Sequence, residues 1–92
     1  MYDLSHYVFF NNILKIDLHG MNRYEALIAV KDFIYDAYLL NTNYIAIIHG
    51  KGEGILRKTV WDILKKSPYV VSFQLDYYNS GATVVLLKKR LN

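Results

Sequence analysis

Two short turns constrain the fold of this chain more than any other feature. Leu18-His19-Gly20 and Ile48-His49-Gly50 repeat one apolar-His-Gly triplet 30 residues apart, about the length of a strand-helix-strand unit. Each triplet ends an apolar run. Ile13-Leu14-Lys15-Ile16-Asp17-Leu18, bounded by Asn11-Asn12 and Gly20, reads as a short buried strand. Tyr44-Ile45-Ala46-Ile47-Ile48 reads as a strand covered on both faces or lying centrally in a parallel sheet.

A helical pattern follows each turn. Asn22 with Glu25 three residues on has the form of a capping box. Ala26, Leu27, Val30, Phe33, Ile34, Ala37 and Tyr38 then fall at helical spacing, to about Leu40, where Asn41-Thr42-Asn43 breaks the pattern. After the turn His49-Gly50-Lys51-Gly52-Glu53-Gly54, Leu56, Val60, Ile63 and Leu64 form a second apolar stripe, with Lys58, Lys65 and Lys66 left for solvent and Pro68 past its end. Val70 to Tyr77 and Ala82 to Leu87 read as two further strands. Parallel strands joined through a helix take a right-handed crossover, so both His-Gly turns come to one edge of the sheet.

A chain of 92 residues holds one compact domain; a large multi-step enzyme does not fit. It has no cysteine, which removes disulfides, thiolate nucleophiles and sulfur-ligated zinc. With 53% hydrophobic and 21% charged residues it is no disordered chain. No segment reaches the roughly 18 consecutive apolar residues of a membrane span, and the first ten residues lack the basic start and small-residue cleavage site of a signal peptide. A cytoplasmic protein is expected. Residues 1–12 form an aromatic leader (Tyr2, Leu4, Tyr7, Val8, Phe9, Phe10) without the basic anchors of a membrane-surface segment, which points to packing across the domain or against a neighbour.

The net charge of +3 is unevenly spread: residues 1–46 hold 3 basic and 5 acidic side chains, residues 47–92 hold 8 and 3. On charge alone an ordinary solvated surface is the better account. The turns say more, because ligands of open α/β sheets bind beyond the carboxyl ends of parallel strands, where helix N-termini present backbone N–H groups. Lys51 and Arg57 add positive charge beside the second turn, so a phosphate or other oxyanion is expected there. The loop is neither a Walker A loop nor GxGxxG, and glycines that merely connect strand to helix are the competing explanation.

Asp17 breaks the echo, since its counterpart is Ile47. A carboxylate two residues from His19 lies on the same side of the strand, where it orients the imidazole for acid-base work; the alternative is that Asp17 binds backbone N–H groups at the first helix and His19 is a satisfied rim residue. The remaining candidates, His49, Glu53 and Asp76, show no metal-site spacing, and His6 lies outside the expected core. Ser5, Ser67, Ser72 and Ser80 have no candidate base beside them, so no nucleophile is expected. Of the nine tyrosines, Tyr77 and Tyr78 adjoin the last loop, at the same rim if the third strand runs with the first two, and are candidates for contact with unpaired bases.

Three motifs together resemble the small MutS-related (Smr) domain family. Ile16-Asp17-Leu18-His19-Gly20 is similar to its Leu-Asp-Leu-His-Gly motif, the nine residues His49 to Arg57 to its HGxGxGxLR motif, and Gly81-Ala82-Thr83 to its GAT segment. The glycine-rich run that often precedes that segment is reduced here to Asn79-Ser80-Gly81. The resemblance places the domain at residues 13–92. It implies an α/β two-layer sandwich of order βαβαββ, a four-stranded mixed sheet covered by two helices with its last strand antiparallel, like the carboxy-terminal domain of a bacterial translation initiation factor.

It also implies nucleic-acid binding and phosphodiester cleavage, in some members on ribosomes. Carried over by position, Asp17 and His19 are catalytic, while His49, Gly50, Lys51, Gly52, Gly54, Arg57, Gly81 and Thr83 bind the backbone. The chain lacks the ATPase and clamp regions of large MutS-type proteins, so it is expected to be an excised domain or a free-standing protein. An endonuclease favouring RNA is the leading expectation, with DNA nicking and branched DNA as further possibilities. No cofactor is required by the sequence, a divalent metal is left open, and so is the oligomeric state. The rivals are a non-catalytic module docking on nucleic acid or a ribosome, and a small phosphometabolite enzyme.

Overall fold

The computed structural model describes residues 13–91. The aromatic leader with Ser5 and His6 lies outside the described residues. The elements are β1 (Leu14–Asp17), α1 (Arg23–Leu39), β2 (Tyr44–Ile48), α2 (Ile55–Lys66), β3 (Val70–Leu75) and β4 (Ala82–Leu87).

Local chemistry sets the ends of α1. Asn22 Oδ1 accepts from the Glu25 N–H, and Glu25 Oε1 accepts from the Asn22 N–H, both at 2.9 Å, so two otherwise unsatisfied donors are met. At the other end Asn41 takes a left-handed φ of 57°. This lets the Thr42 N–H reach the Ala37 carbonyl and the Asn41 N–H the Tyr38 carbonyl, a Schellman closure that stops the helix. Between these ends α1 buries Ala26, Val30, Ile34 and Ala37. On α2 the buried face is Val60, Ile63 and Leu64, and Lys65 and Lys66 complement the negative end of its dipole.

The strands form one sheet in the order β1-β2-β4-β3. β1 and β2 are parallel, from Leu14 opposite Ile45 to Asp17 opposite Ile48. β4 lies between β2 and β3 and is antiparallel to both. Three strands therefore end, and the fourth begins, at one rim. Both helices share a single core with Leu18, Ile45, Ile47, Val85 and Leu87, which puts them on the same face of the sheet. This is the βαβαββ mixed-sheet sandwich that the motifs implied.

Two expectations need correction. β1 is an edge strand with only β2 beside it: Leu14 is 43% exposed, Lys15 and Asp17 face solvent, and the fully buried residue is Leu18, just past the strand. β3 stops at Leu75 rather than Tyr77, so Tyr77 joins Tyr78 in the loop leading to β4. β2 does occupy the centre of the sheet, with Ile45, Ala46 and Ile47, on alternate faces, all fully buried.

Candidate functional site

The rim is assembled from three loops. At the end of β1, the Leu18 N–H donates to the Ile48 carbonyl at 2.9 Å and the Met21 N–H to the Leu18 carbonyl at 3.0 Å, closing a turn around Gly20, whose φ is +83°. That turn leaves His19 exposed, with no hydrogen-bond partner for its ring among the described residues. Asp17 Oδ1 accepts from the His19 backbone N–H at 2.9 Å. The carboxylate thus fixes the backbone that carries the imidazole, and it bonds the main chain rather than the ring.

The second turn looks alike in sequence and is built differently. The His49 and Gly50 N–H groups both donate to the Gly81 carbonyl, at 2.9 and 2.8 Å, tying this turn to the start of β4. His49 is 7% exposed, with Nδ1 at 2.9 Å from the Gly50 carbonyl and Nε2 at 2.8 Å from Thr83 Oγ1. A carbonyl only accepts, so Nδ1 carries the proton, and in the neutral ring Nε2 accepts from the Thr83 hydroxyl. Thr83 Oγ1 in turn accepts from the Trp61 indole N–H at 2.9 Å. A chain from Trp61 through Thr83 to His49 and Gly50 therefore runs beneath the rim. Burial pushes the His49 pKa below its usual value; the Gly50 carbonyl opposes this shift and the positive charge of Arg57 adds to it. His49 is neutral at pH 7.

Glycines bring the remaining loops together. A Cβ on Gly81 would lie 3.3 Å from the Gly50 carbonyl carbon, 3.3 Å from Lys51 Cγ and 3.2 Å from Asn79 Oδ1. The stem of Lys51 thus crosses the one residue that has no side chain to obstruct it. Gly54, with φ +84°, caps α2 without a side-chain hydrogen bond, and Arg57 Nη2 folds back to 3.6 Å from where its Cβ would be. A cavity of about 240 Å³ lies here, lined by His49, Gly50, Gly52, Glu53, Gly54, Ile55 and Leu56. Open N–H groups at a helix start favour an anion, and Glu53 is the one lining charge that opposes it. A larger hollow of about 680 Å³ between the helices holds none of the rim residues.

These loops coincide with a known pattern, since the Smr domain model matches residues 16–88. The chain belongs to the Smr family. It is 43% identical over 76 residues to Endonuclease MutS2 of Clostridium perfringens (strain SM101 / Type A), a match spanning 79% of this chain and 10% of that protein. With Endonuclease MutS2 of Clostridium beijerinckii identity is 40% over 77 residues, 80% of this chain and again 10% of the relative. The chain thus corresponds to about a tenth of these curated relatives. Among solved structures, the Smr domain of Thermus thermophilus MutS2 superposes with a TM-score of 0.80 at 32% identity, covering 83% of this chain and 99% of that one. YdaL, a stand-alone small MutS-related protein from Escherichia coli, gives 0.75 at 27% identity, covering 82% and 64%.

In this Smr domain the three motifs meet at one rim. Asp17, His19, Gly50, Lys51, Gly52, Gly54, Arg57 and Gly81 line or support its outer surface, while the side chains of His49 and Thr83 face each other underneath. Trp61 was not among the residues singled out by sequence. The available signal was that it is the only Trp in the chain, on a helix against a sheet, where a half-buried indole N–H needs an acceptor. Among the described residues no three His, Asp or Glu side chains gather as metal ligands would, and no helix is long and apolar enough to cross a membrane.

Proposed function

We infer that this Smr domain binds nucleic acid across the strand-end rim and cleaves its phosphodiester bonds, with RNA as the favoured substrate. The observation that carries this reading is an exposed imidazole, on a turn pinned by Asp17, sharing a rim with two exposed cations, Lys51 and Arg57. Its kinship with the Smr domains of endonucleases named MutS2 supports the same reading.

On RNA the chemistry is compact. His19 takes the 2′-hydroxyl proton, the 2′-oxygen attacks the adjacent phosphorus, and the bond to the 5′-oxygen breaks as that oxygen takes a proton from water. The products are a 2′,3′-cyclic phosphate and a free 5′-hydroxyl. Lys51, Arg57 and the N–H groups at the start of α2 stabilise the charge developing on the phosphorane oxygens. DNA has no 2′-hydroxyl; nicking it takes an activated water, for which a bound divalent metal is the usual source. Asp17 positions the turn; His49 and Thr83 act from beneath, holding the second and third loops in register.

One observation favours a second reading, a non-catalytic docking module: Asp17 is spent on a backbone N–H and leaves the His19 ring without a carboxylate partner. The deciding experiment treats end-labelled single-stranded RNA and supercoiled DNA with the 92-residue chain, with and without chelator. Chelator-resistant cutting of RNA to cyclic-phosphate ends is expected. Salt-dependent binding without any cutting would favour the docking module.

A further inference from the structure

Two large side chains on the rim have no part in the proposed chemistry. Tyr77 and Tyr78 follow the end of β3 and are 72% and 62% exposed. Their ring centroids are 4.9 Å apart at an interplanar angle of 88°, an edge-to-face pair that braces one ring against the other. The loop beneath them is firmly held. The Asp76 N–H donates to the Ala82 carbonyl at 2.9 Å, the Ala82 N–H to the Asn79 carbonyl at 3.0 Å, and the Gly81 N–H to Asn79 Oδ1 at 2.9 Å. The same loop carries the Gly81 carbonyl that receives the His49 and Gly50 N–H groups. The aromatic pair therefore sits in a fixed place relative to Lys51, whose stem crosses Gly81.

Sheet order sets the distance to the chemistry. β1, which ends at Asp17 two residues before His19, and β3, which ends at Leu75 two residues before Tyr77, are the two edges, with β2 and β4 between them. Three strand spacings amount to about 14 Å. A nucleic-acid strand that keeps its bases stacked rises about 3.4 Å per nucleotide, so roughly four nucleotides bridge this span. Their phosphates would pass over Lys51 and Arg57. Proteins that hold single strands pair a positive track with exposed aromatic faces in this way, because unpaired bases offer a π-face that a duplex keeps inside its own stack.

We propose that Tyr77 and Tyr78 form a stacking platform for the unpaired bases of a single-stranded nucleic acid, about four nucleotides from the phosphate held at His19. This rests on the nucleic-acid reading of the rim and adds what that reading lacks, a preference for single strands over duplex and a register between stacked base and reacting bond.

The test measures binding rather than cutting, so that it does not depend on catalysis. The 92-residue chain carrying His19→Ala is titrated with a fluorescent single-stranded RNA of about eight nucleotides and with a hairpin duplex, at several salt concentrations. Adding Tyr77→Leu and Tyr78→Leu should weaken single-strand binding about 5- to 100-fold, leave duplex binding unchanged, and leave the salt slope unchanged because no phosphate contact is lost. Phe at both positions keeps the ring faces and should restore binding. Equal weakening on both ligands, no weakening on the single strand, or no single-strand binding by the parent chain would each overturn the proposal. A protein that cuts nothing yet shows the predicted binding pattern would retain the platform and lose the nuclease.

Discussion

At the residue scale, the two histidines of the repeated triplet show how little a local motif decides. Nothing in Leu18-His19-Gly20 or Ile48-His49-Gly50 says which imidazole is exposed. The difference comes from Thr83, 34 residues further along, which antiparallel β4 brings against His49 alone, and whose hydroxyl also accepts from Trp61 of α2. The buried neutral ring has a consequence in solution. An unfolded His49 takes up a proton as pH falls through about 6.5, whereas burial chiefly, with Arg57, keeps the folded ring neutral to lower pH. The unfolded state then binds more protons, and stability falls on acidification below about 6.5. Urea midpoints measured at about pH 7.5 and 5.5 should drop more for the wild type than for His49→Gln; equal drops would contradict this account.

At the element scale, local rules carried most of the assignment. The capping box at Asn22 was visible as a spacing and appears with both hydrogen bonds in place, and the Asn-Thr-Asn break became a Schellman closure because Asn tolerates a left-handed backbone. Asn22→Ala should cost about 1 kcal/mol in chemical denaturation, and a loss near zero would mean that the core alone sets the end of α1. The edge position of β1 was not legible, since Leu14 and Ile16 look the same whether a strand has one neighbour or two. Nor was the end of β3 at Leu75, because Tyr77 continues the strand pattern although the register with β4 ends at Leu75 opposite Thr83.

At the scale of the whole molecule, function depends on topology. Parallel β1 and β2 were expected from the spacing of the two turns, but the antiparallel direction of β4 was carried only by the family resemblance, as no residue of Ala82–Leu87 states it, and its insertion between β2 and β3 was not expected at all. That insertion brings Gly81 under Lys51 and joins the three loops into one rim. If the rim tracks a phosphate backbone, Lys51→Gln or Arg57→Gln should weaken RNA binding across sequences and reduce the slope of log affinity against log salt by about one; unchanged slopes would move the contact elsewhere. The central claim is that His19 performs chemistry on a strand that the rest of the rim merely holds. Binding and cleavage of one labelled single-stranded RNA, measured side by side for wild type and His19→Ala, test it most directly. Retained affinity with product reduced by about 100-fold or more is the predicted result, whereas equal cleavage by both proteins would contradict the role given to His19.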